Sequence, residues 1–274
     1  MIVTSPNVPA RWRAEFLGHI SKMPSPELAF STLHHNLAND HAPITPRTRF
    51  CVYRGMWGEL PENPRNPAKL NDRVYQSELL TITTDVRMVK IPDIFDSGSE
   101  NGKIDMSGGG GPVEAVFWIK EAATQWRFIG EAFVVGNDID DELSSGAKFV
   151  KRSVVERMRV VKASGKENWS WSQELTAHFG NLSPRMRGSF KNPPPGAPIS
   201  STLDNPELKL GQRINDLHDA EARKNFRVII IMPKRVEKLD LGSPAESQRR
   251  WVYTYNMTRN DDQLDSWSEE ECWP

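Results

Sequence analysis

The chain has 274 residues, with 35 basic and 36 acidic side chains and a formal net charge of −1. That balance excludes the bulk positive charge of a general nucleic-acid binder, and 18 glycines with 20 prolines, without a repeat, exclude a collagen-like chain. The longest unbroken apolar runs, 115–119 and 228–232, fall far short of the ~20 residues of a membrane helix.

The N-terminal residues hold no apolar stretch of the ~7–15 residues that a secretory signal uses. Two lone cysteines, Cys51 and Cys272, make no disulfide or metal framework and suit a reducing compartment. The expectation is a cytoplasmic globular protein without nucleic-acid or membrane partners.

In chain order, Trp12, Phe16, Leu17 and Ile20 recur at helical spacing and predict a short amphipathic helix over 12–20. Strands are expected at 28–33, at 48–55, which carries Phe50, Cys51, Val52 and Tyr53, and at 75–84. The strongest strand patterns are 113–120 and 125–135, with 121–124 as a hairpin connection. One helix is expected within 142–161, its first turns weakened by Gly146, and another over 169–179. Residues 213–224 are polar and read as helix or linker. Strands at 226–232, 236–241 and 250–256 complete a set of about eight. Strands before and after a helical stretch favour a barrel carrying helices over a doubly wound parallel sheet. Segments 58–74, 96–112 and 193–209 are rich in Pro, Asn, Gly or Ser and read as inserted surface loops.

Several motifs carry little. Ser107 and the four glycines after it lack the Gly-Lys-Ser/Thr ending of a phosphate loop, and Pro112 leads into a strand, so a flexible turn is expected there. His34 and His35 would point to opposite faces of a strand, and no His/Cys spacing completes a site with them or His41, so no metal is expected. No G-x-S-x-G precedes a helix, which removes support for a serine hydrolase of that type. Trp118, Trp126 and Trp251 sit in strand patterns and read as core or interface residues, while Trp57, Trp267 and Trp273 lie near loops or the terminus.

Four motifs in one order carry more. They are Arg47–Gly55 (RTRFCVYRG), residues 82–90 (ITTDVRMVK), a third with Phe117-Trp118, Gln125 and Ile129-Gly130, and a fourth with Arg249-Arg250-Trp251-Val252-Tyr253. In this order the sequence resembles the pyridoxamine 5′-phosphate oxidase-like family with the FMN-binding split barrel, in a less characterised branch. The resemblance spans roughly residues 10–274 and implies a mainly β (α+β) fold. It implies a single split-barrel domain over 1–274, interrupted by the three insertions. It further implies a homodimer with FMN at the subunit interface and a small-molecule substrate.

Residue by residue, the resemblance gives Arg49 the family's strand arginine and Arg54 its lysine position, with Val52 between them. Thr83-Thr84 take the place of Tyr-Thr, and Val89-Lys90 the place of an Arg-Lys pair. Gln125 matches the glutamine at the isoalloxazine edge, and Arg250 the late arginine that contacts FMN. Physically, Arg49 and Lys90 can hold a phosphate, one by a planar fork and one as a point charge. The threonine hydroxyls and the Gln125 amide supply neutral donors and acceptors.

Alternation along the strand puts Arg49, Cys51 and Tyr53 on one face and Phe50, Val52 and Arg54 on the other, unless a bulge intervenes. The family's oxidases carry an R-x-H element before the late arginine. Here Glu246-Ser247-Gln248 stand there, with neither cation nor imidazole. The resemblance therefore points to an FMN-dependent oxidoreductase with an unnamed substrate. Pyridoxamine or pyridoxine 5′-phosphate oxidase, and a non-catalytic flavin or tetrapyrrole carrier, are the alternatives.

Overall fold

The computed structural model describes residues 8–35, 43–96, 103–201, 205–256 and 266–274. Helix α1 (Arg11–Ile20) precedes strands β1 (Glu27–His34), β2 (Thr45–Met56), β3 (Tyr75–Ser77) and β4 (Leu80–Asp85). Helix α2 (Lys90–Asp96), β5 (Gly108–Ile119) and β6 (Thr124–Val135) follow. Then come α3 (Ser145–Val155), β7 (Met158–Val160), α4 (Trp171–Gly180), α5 (Pro184–Gly188) and α6 (Ala220–Asn225). The chain closes with β8 (Phe226–Asp240), β9 (Arg249–Asn256) and β10 (Ser266–Cys272).

The main sheet is antiparallel, in the order β10-β9-β8-β4-β2-β1-β5-β6, and β8 pairs also with β6. Six strands therefore close a barrel, and β9 and β10 continue the sheet outside it. The long strand β8 makes this possible. On one side it pairs with β6 along nearly its whole length. On the other it pairs with β4 through Phe226–Ile231 and then with β9 through Arg235–Asp240. The barrel splits where β8 changes partner.

That strand corrects the expected pair 226–232 and 236–241, which is one element. Pro233 would break a regular ladder, but it sits at a register shift opposite Ile129 and Gly130, where a bulge tolerates it. Gly130 is required there. A Cβ at that position would lie 2.0 Å from the Met232 carbonyl oxygen.

Both faces of β8 are buried, which explains its unbroken apolar run. Ile229, Ile231 and Val236 face the barrel interior with Phe30, Tyr53, Phe117 and Phe128, and Trp12 and Phe16 of α1 reach into that cluster. Phe16 meets Tyr53, Phe117, Trp126 and Phe128 edge to face. Val228, Ile230 and Met232 face a second cluster with Val150 and Val154 of α3 and Leu175 and Phe179 of α4. Trp57, expected near a loop, is fully buried in this second cluster. Helices α3 and α4 start on Ser144 and Ser170, whose side chains accept from Ala147 N and Gln173 N.

Three further expectations change. The run 75–84 is two strands. The Ser77 hydroxyl donates to Trp57 O, and buried Glu78 takes two hydrogen bonds from Arg159, so the chain turns between β3, which pairs with β7, and β4. The helix expected over 142–161 stops at Val155 because β7 follows. The glycine run is no flexible turn, and 108–112 are not part of an insertion but the start of β5. Gly109 has φ +103°, and a Cβ there would meet Ile94 of α2 at 2.7 Å, so the run lets α2 pack against the strand through a bulge. Among the described residues, no helix is long and apolar enough to cross a membrane.

Candidate functional site

A cleft of about 730 Å³ opens beside the C-terminal half of β2 and the end of β4. Phe50, Val52 and Arg54 border it, as strand alternation places them on one face. Thr83 and Thr84 at the end of β4 border it too, with Lys90 at the start of α2. Arg54 Nε donates to Thr83 Oγ1 at 3.3 Å, and Lys90 Nζ donates to Thr84 Oγ1 at 3.1 Å. Each cation thus has a threonine beside it and no carboxylate within ion-pair distance among the described residues.

Burial pushes both the Arg54 and the Lys90 pKa below their ordinary values. For Lys90 the nearby Arg49 charge adds to that effect, while Cys51, Asp85 and Asp93 oppose it. A buried lysine and a partly buried arginine facing one cleft are costly to hold charged, and an anionic ligand relieves that cost.

Arg49 lies on the opposite side of the strand. Its Nη1 donates to Thr32 Oγ1 at 2.8 Å and to Phe30 O at 3.2 Å, and its Nη2 is 3.6 Å from Asp93. Asp93, almost wholly buried on α2, also accepts from Thr32 Oγ1 at 2.6 Å and pairs with His34 Nδ1 at 2.7 Å. Arg49 does not line the cleft, nor does Val89, which is exposed just before α2. Cys51 does line it, and burial raises its thiol pKa against the pull of Lys90 and Arg49.

Gln125 and Arg250 are elsewhere on the sheet, but together. Trp118 pairs with Gln125, Gln125 with Leu239, and Leu239 with Arg250, which makes one row across β5, β6, β8 and β9. Trp118 is half exposed in that row. Two residues further along β8, buried Glu237 takes Arg250 at 3.0 Å, Arg235 at 2.9 Å and Arg127 at 3.8 Å. Arg127 is also 3.1 Å from Glu114.

Sequence reading missed several groups that shape the cleft. Asp85 accepts from Arg87 Nε at 2.9 Å, from Arg87 Nη2 at 2.6 Å and from Arg87 N at 2.8 Å. Arg87 also donates to Asn192 O at 3.0 Å and Phe190 O at 3.4 Å. The turn after β4 is thereby tied to the root of the proline segment. That segment, read as a surface loop, supplies one wall of the cleft through Pro193, Pro194, Pro195, Ala197, Pro198 and Ile199. Helix α2 had a legible signal in Ile91, Ile94 and Phe95, which are buried at helical spacing; Pro92 obscured it. Among the described residues, no group of three His, Cys, Asp or Glu is placed to hold a metal, and His41 lies outside those residues.

The barrel and its neighbours define the fold class as a mainly β, FMN-binding split barrel with peripheral helices. A solved pyridoxamine 5′-phosphate oxidase-related, FMN-binding protein from Nostoc punctiforme is similar over 97% of this chain and 100% of its own, at 20% identity and a TM-score of 0.56. PhzG from Burkholderia lata, solved with tetrahydrophenazine-1-carboxylic acid, is similar over 98% of this chain and 100% of its own, at 12% identity and a TM-score of 0.47. No curated protein sequence matches this chain. Residues 9–136 match the family model described as pyridoxamine 5′-phosphate oxidase, FMN-binding domain. Over those residues the chain is similar to that family, whose model describes an FMN-binding domain.

Proposed function

We propose that the chain is an FMN-dependent oxidoreductase whose cofactor phosphate is held in the cleft by Arg54 and Lys90. The observation that carries this is the convergence of Arg54, Thr83, Thr84 and Lys90 on one cleft. The donor set fits the group. A phosphate of nearly two negative charges needs strong donors, and here a guanidinium and an ammonium stand beside two hydroxyls without a competing carboxylate. Val52 lines the same face, and Val89 leads the chain into Lys90. Arg49 adds positive potential from behind Lys90 while Asp93 holds its side chain in place. FMN, when bound, supplies the redox chemistry; the protein orients it and sets the electrostatics.

Gln125 and Arg250 are proposed to reach the cofactor of a second copy, so that a homodimer forms two sites. Their common row, apart from the cleft, supports this reading. The closed barrel that joins β1 to β8 supports a single domain with loops inserted at 58–74 and 193–209. Two free thiols, Cys51 and Cys272, support a cytoplasmic location.

Titration of the purified chain with FMN, followed by quenching of flavin fluorescence, tests the reading. Arg54→Ala and Lys90→Ala are expected to weaken binding by about 1.5 kcal/mol or more each, as for a charged hydrogen bond, and Arg49→Ala by less. A chain that takes up no FMN would refute the proposal.

A further inference from the structure

Charge in the cleft is confined to one end. Arg54, Asp85 and Lys90 are its charged lining residues. Asp85 is consumed by Arg87 in a bidentate pair, which leaves two cations. One phosphate near two negative charges balances them. Arg49, whose charge acts on Lys90, is engaged by Asp93 and Thr32. On the proposed second-copy face, Arg127, Arg235 and Arg250 share Glu237 and Glu114, so a single net positive charge remains there.

The opposite wall carries no charge and is mostly apolar, with Ser189, Asn192 and Ser201 as its polar lining residues. It is built from Pro193, Pro194, Pro195, Pro198 and Ile199, with Met186 and Leu210 beside them. Proline has no backbone N–H, so this stretch offers an anionic group almost no main-chain donor. Ile199 is fully exposed and Leu210 about three-quarters exposed, so both offer free apolar surface. The wall is not a loose flap at its root. Phe190 O accepts from Asn225 Nδ2 at 2.9 Å as well as from Arg87, and Lys191 is paired with Asp219. The apolar side chains are therefore held over the cleft by the same turn that carries Thr84 and Lys90.

We infer that the second ligand of this cleft is an uncharged, apolar molecule lodged against the proline wall, and that it bears no phosphate. The inference rests on the proposed flavin site. Once the cofactor phosphate is bound, a second phosphate finds no unspent cation among the described lining residues, and desolvating it against proline and isoleucine is unfavourable. An apolar ring gains from the same surface.

The test uses the FMN-loaded full chain and two probes, N-phenyl-1-naphthylamine as a neutral apolar molecule and pyridoxal 5′-phosphate as a phosphate-bearing one. Binding is read from probe fluorescence and from shifts in the flavin absorption bands. The neutral probe is expected to bind at least tenfold more tightly than the phosphate ester. Ile199→Asp and Leu210→Asp change exposed side chains, so folding is retained, and each is expected to weaken the neutral probe tenfold or more with FMN affinity unchanged. Tighter binding of pyridoxal 5′-phosphate would overturn the inference, as would neutral-probe binding that neither aspartate alters. Failure of the chain to take up FMN would instead defeat the flavin reading, so the two failures are told apart by the FMN titration itself.

Discussion

Arg49 and Arg54 show how one strand divides two like residues between two tasks. Five positions apart, they fall on opposite faces of β2 by alternation. One is drawn to buried Asp93, and the other is left beside Thr83 in the cleft. Lys90, with its pKa lowered chiefly by burial, loses its proton earlier on alkaline titration than a free lysine does. FMN affinity is therefore expected to fall as pH rises through that lowered value, and Lys90→Arg to carry tight binding to higher pH. Flavin titrations from pH 7 to 10 measure both.

His178 gives a second pH effect, on stability. It is fully buried, stacked on Trp57 at 5.7 Å, with neither ring nitrogen hydrogen-bonded, and desolvation takes its pKa down to about 3. Arg54 adds to that lowering, and Glu174, 3.9 Å away on the same helix, is itself raised by burial. The unfolded chain takes a proton on this ring near pH 6.5 and the folded chain only near 3, so stability falls as pH drops between those values, by roughly 5 kcal/mol at full extent. Glu174 acts with the opposite sign, because its acid form is the easier one to bury. His178→Phe is expected to flatten the loss of Tm between pH 7 and pH 4.5. An unaltered slope would show that the ring does not carry it.

Among the elements, β8 and β5 differ most from their sequence patterns. The Pro233 break in an apolar run suggested two strands, yet β6 pairs through it by a bulge at Gly130. A Cβ at Gly130 has no room against Met232 O, so Gly130→Ala is expected to cost about 3 kcal/mol or more in urea unfolding, or to prevent folding. The glycine run of β5 has loop composition, and only α2 packed against it makes that composition useful in a strand. Periodicity was a good guide where one face was buried, as in α1, β1, β6 and α4. It failed where both faces were buried, where a bulge intervened, or where elements were as short as α2 and α5.

In the whole molecule, the cleft and the Gln125–Arg250 row are separate surfaces of one chain. If each site takes one surface from each of two copies, Lys90→Ala and Arg250→Ala chains both bind FMN weakly as pure dimers. Mixed after dissociation, they are expected to regain tight binding at about a quarter of all sites, because a hybrid dimer rebuilds one intact site and one doubly broken one. Fluorescence titration of the mixture reads that fraction, and no recovery would place the whole site within one copy. The closed barrel also predicts one cooperative unfolding transition, with tryptophan fluorescence and circular dichroism coinciding.

Local pattern in the sequence determined the mainly β class and the order of most strands, and the family resemblance of its motifs pointed to Arg49, Arg54, Thr83, Thr84 and Lys90 as the residues proposed to hold a phosphate. These follow from side-chain alternation, turn residues and motif order, all of which act over a few positions. Only the tertiary structure decided which arginine shares the cleft with Lys90, since that depends on Asp93 arriving from another element. It alone placed the 193–199 prolines opposite the cations, more than 100 residues from them in the chain, through the bonds of Arg87 to Phe190 and Asn192. Contacts of that sequence separation are made by packing and hydrogen bonding across the fold, and no short-range pattern encodes them.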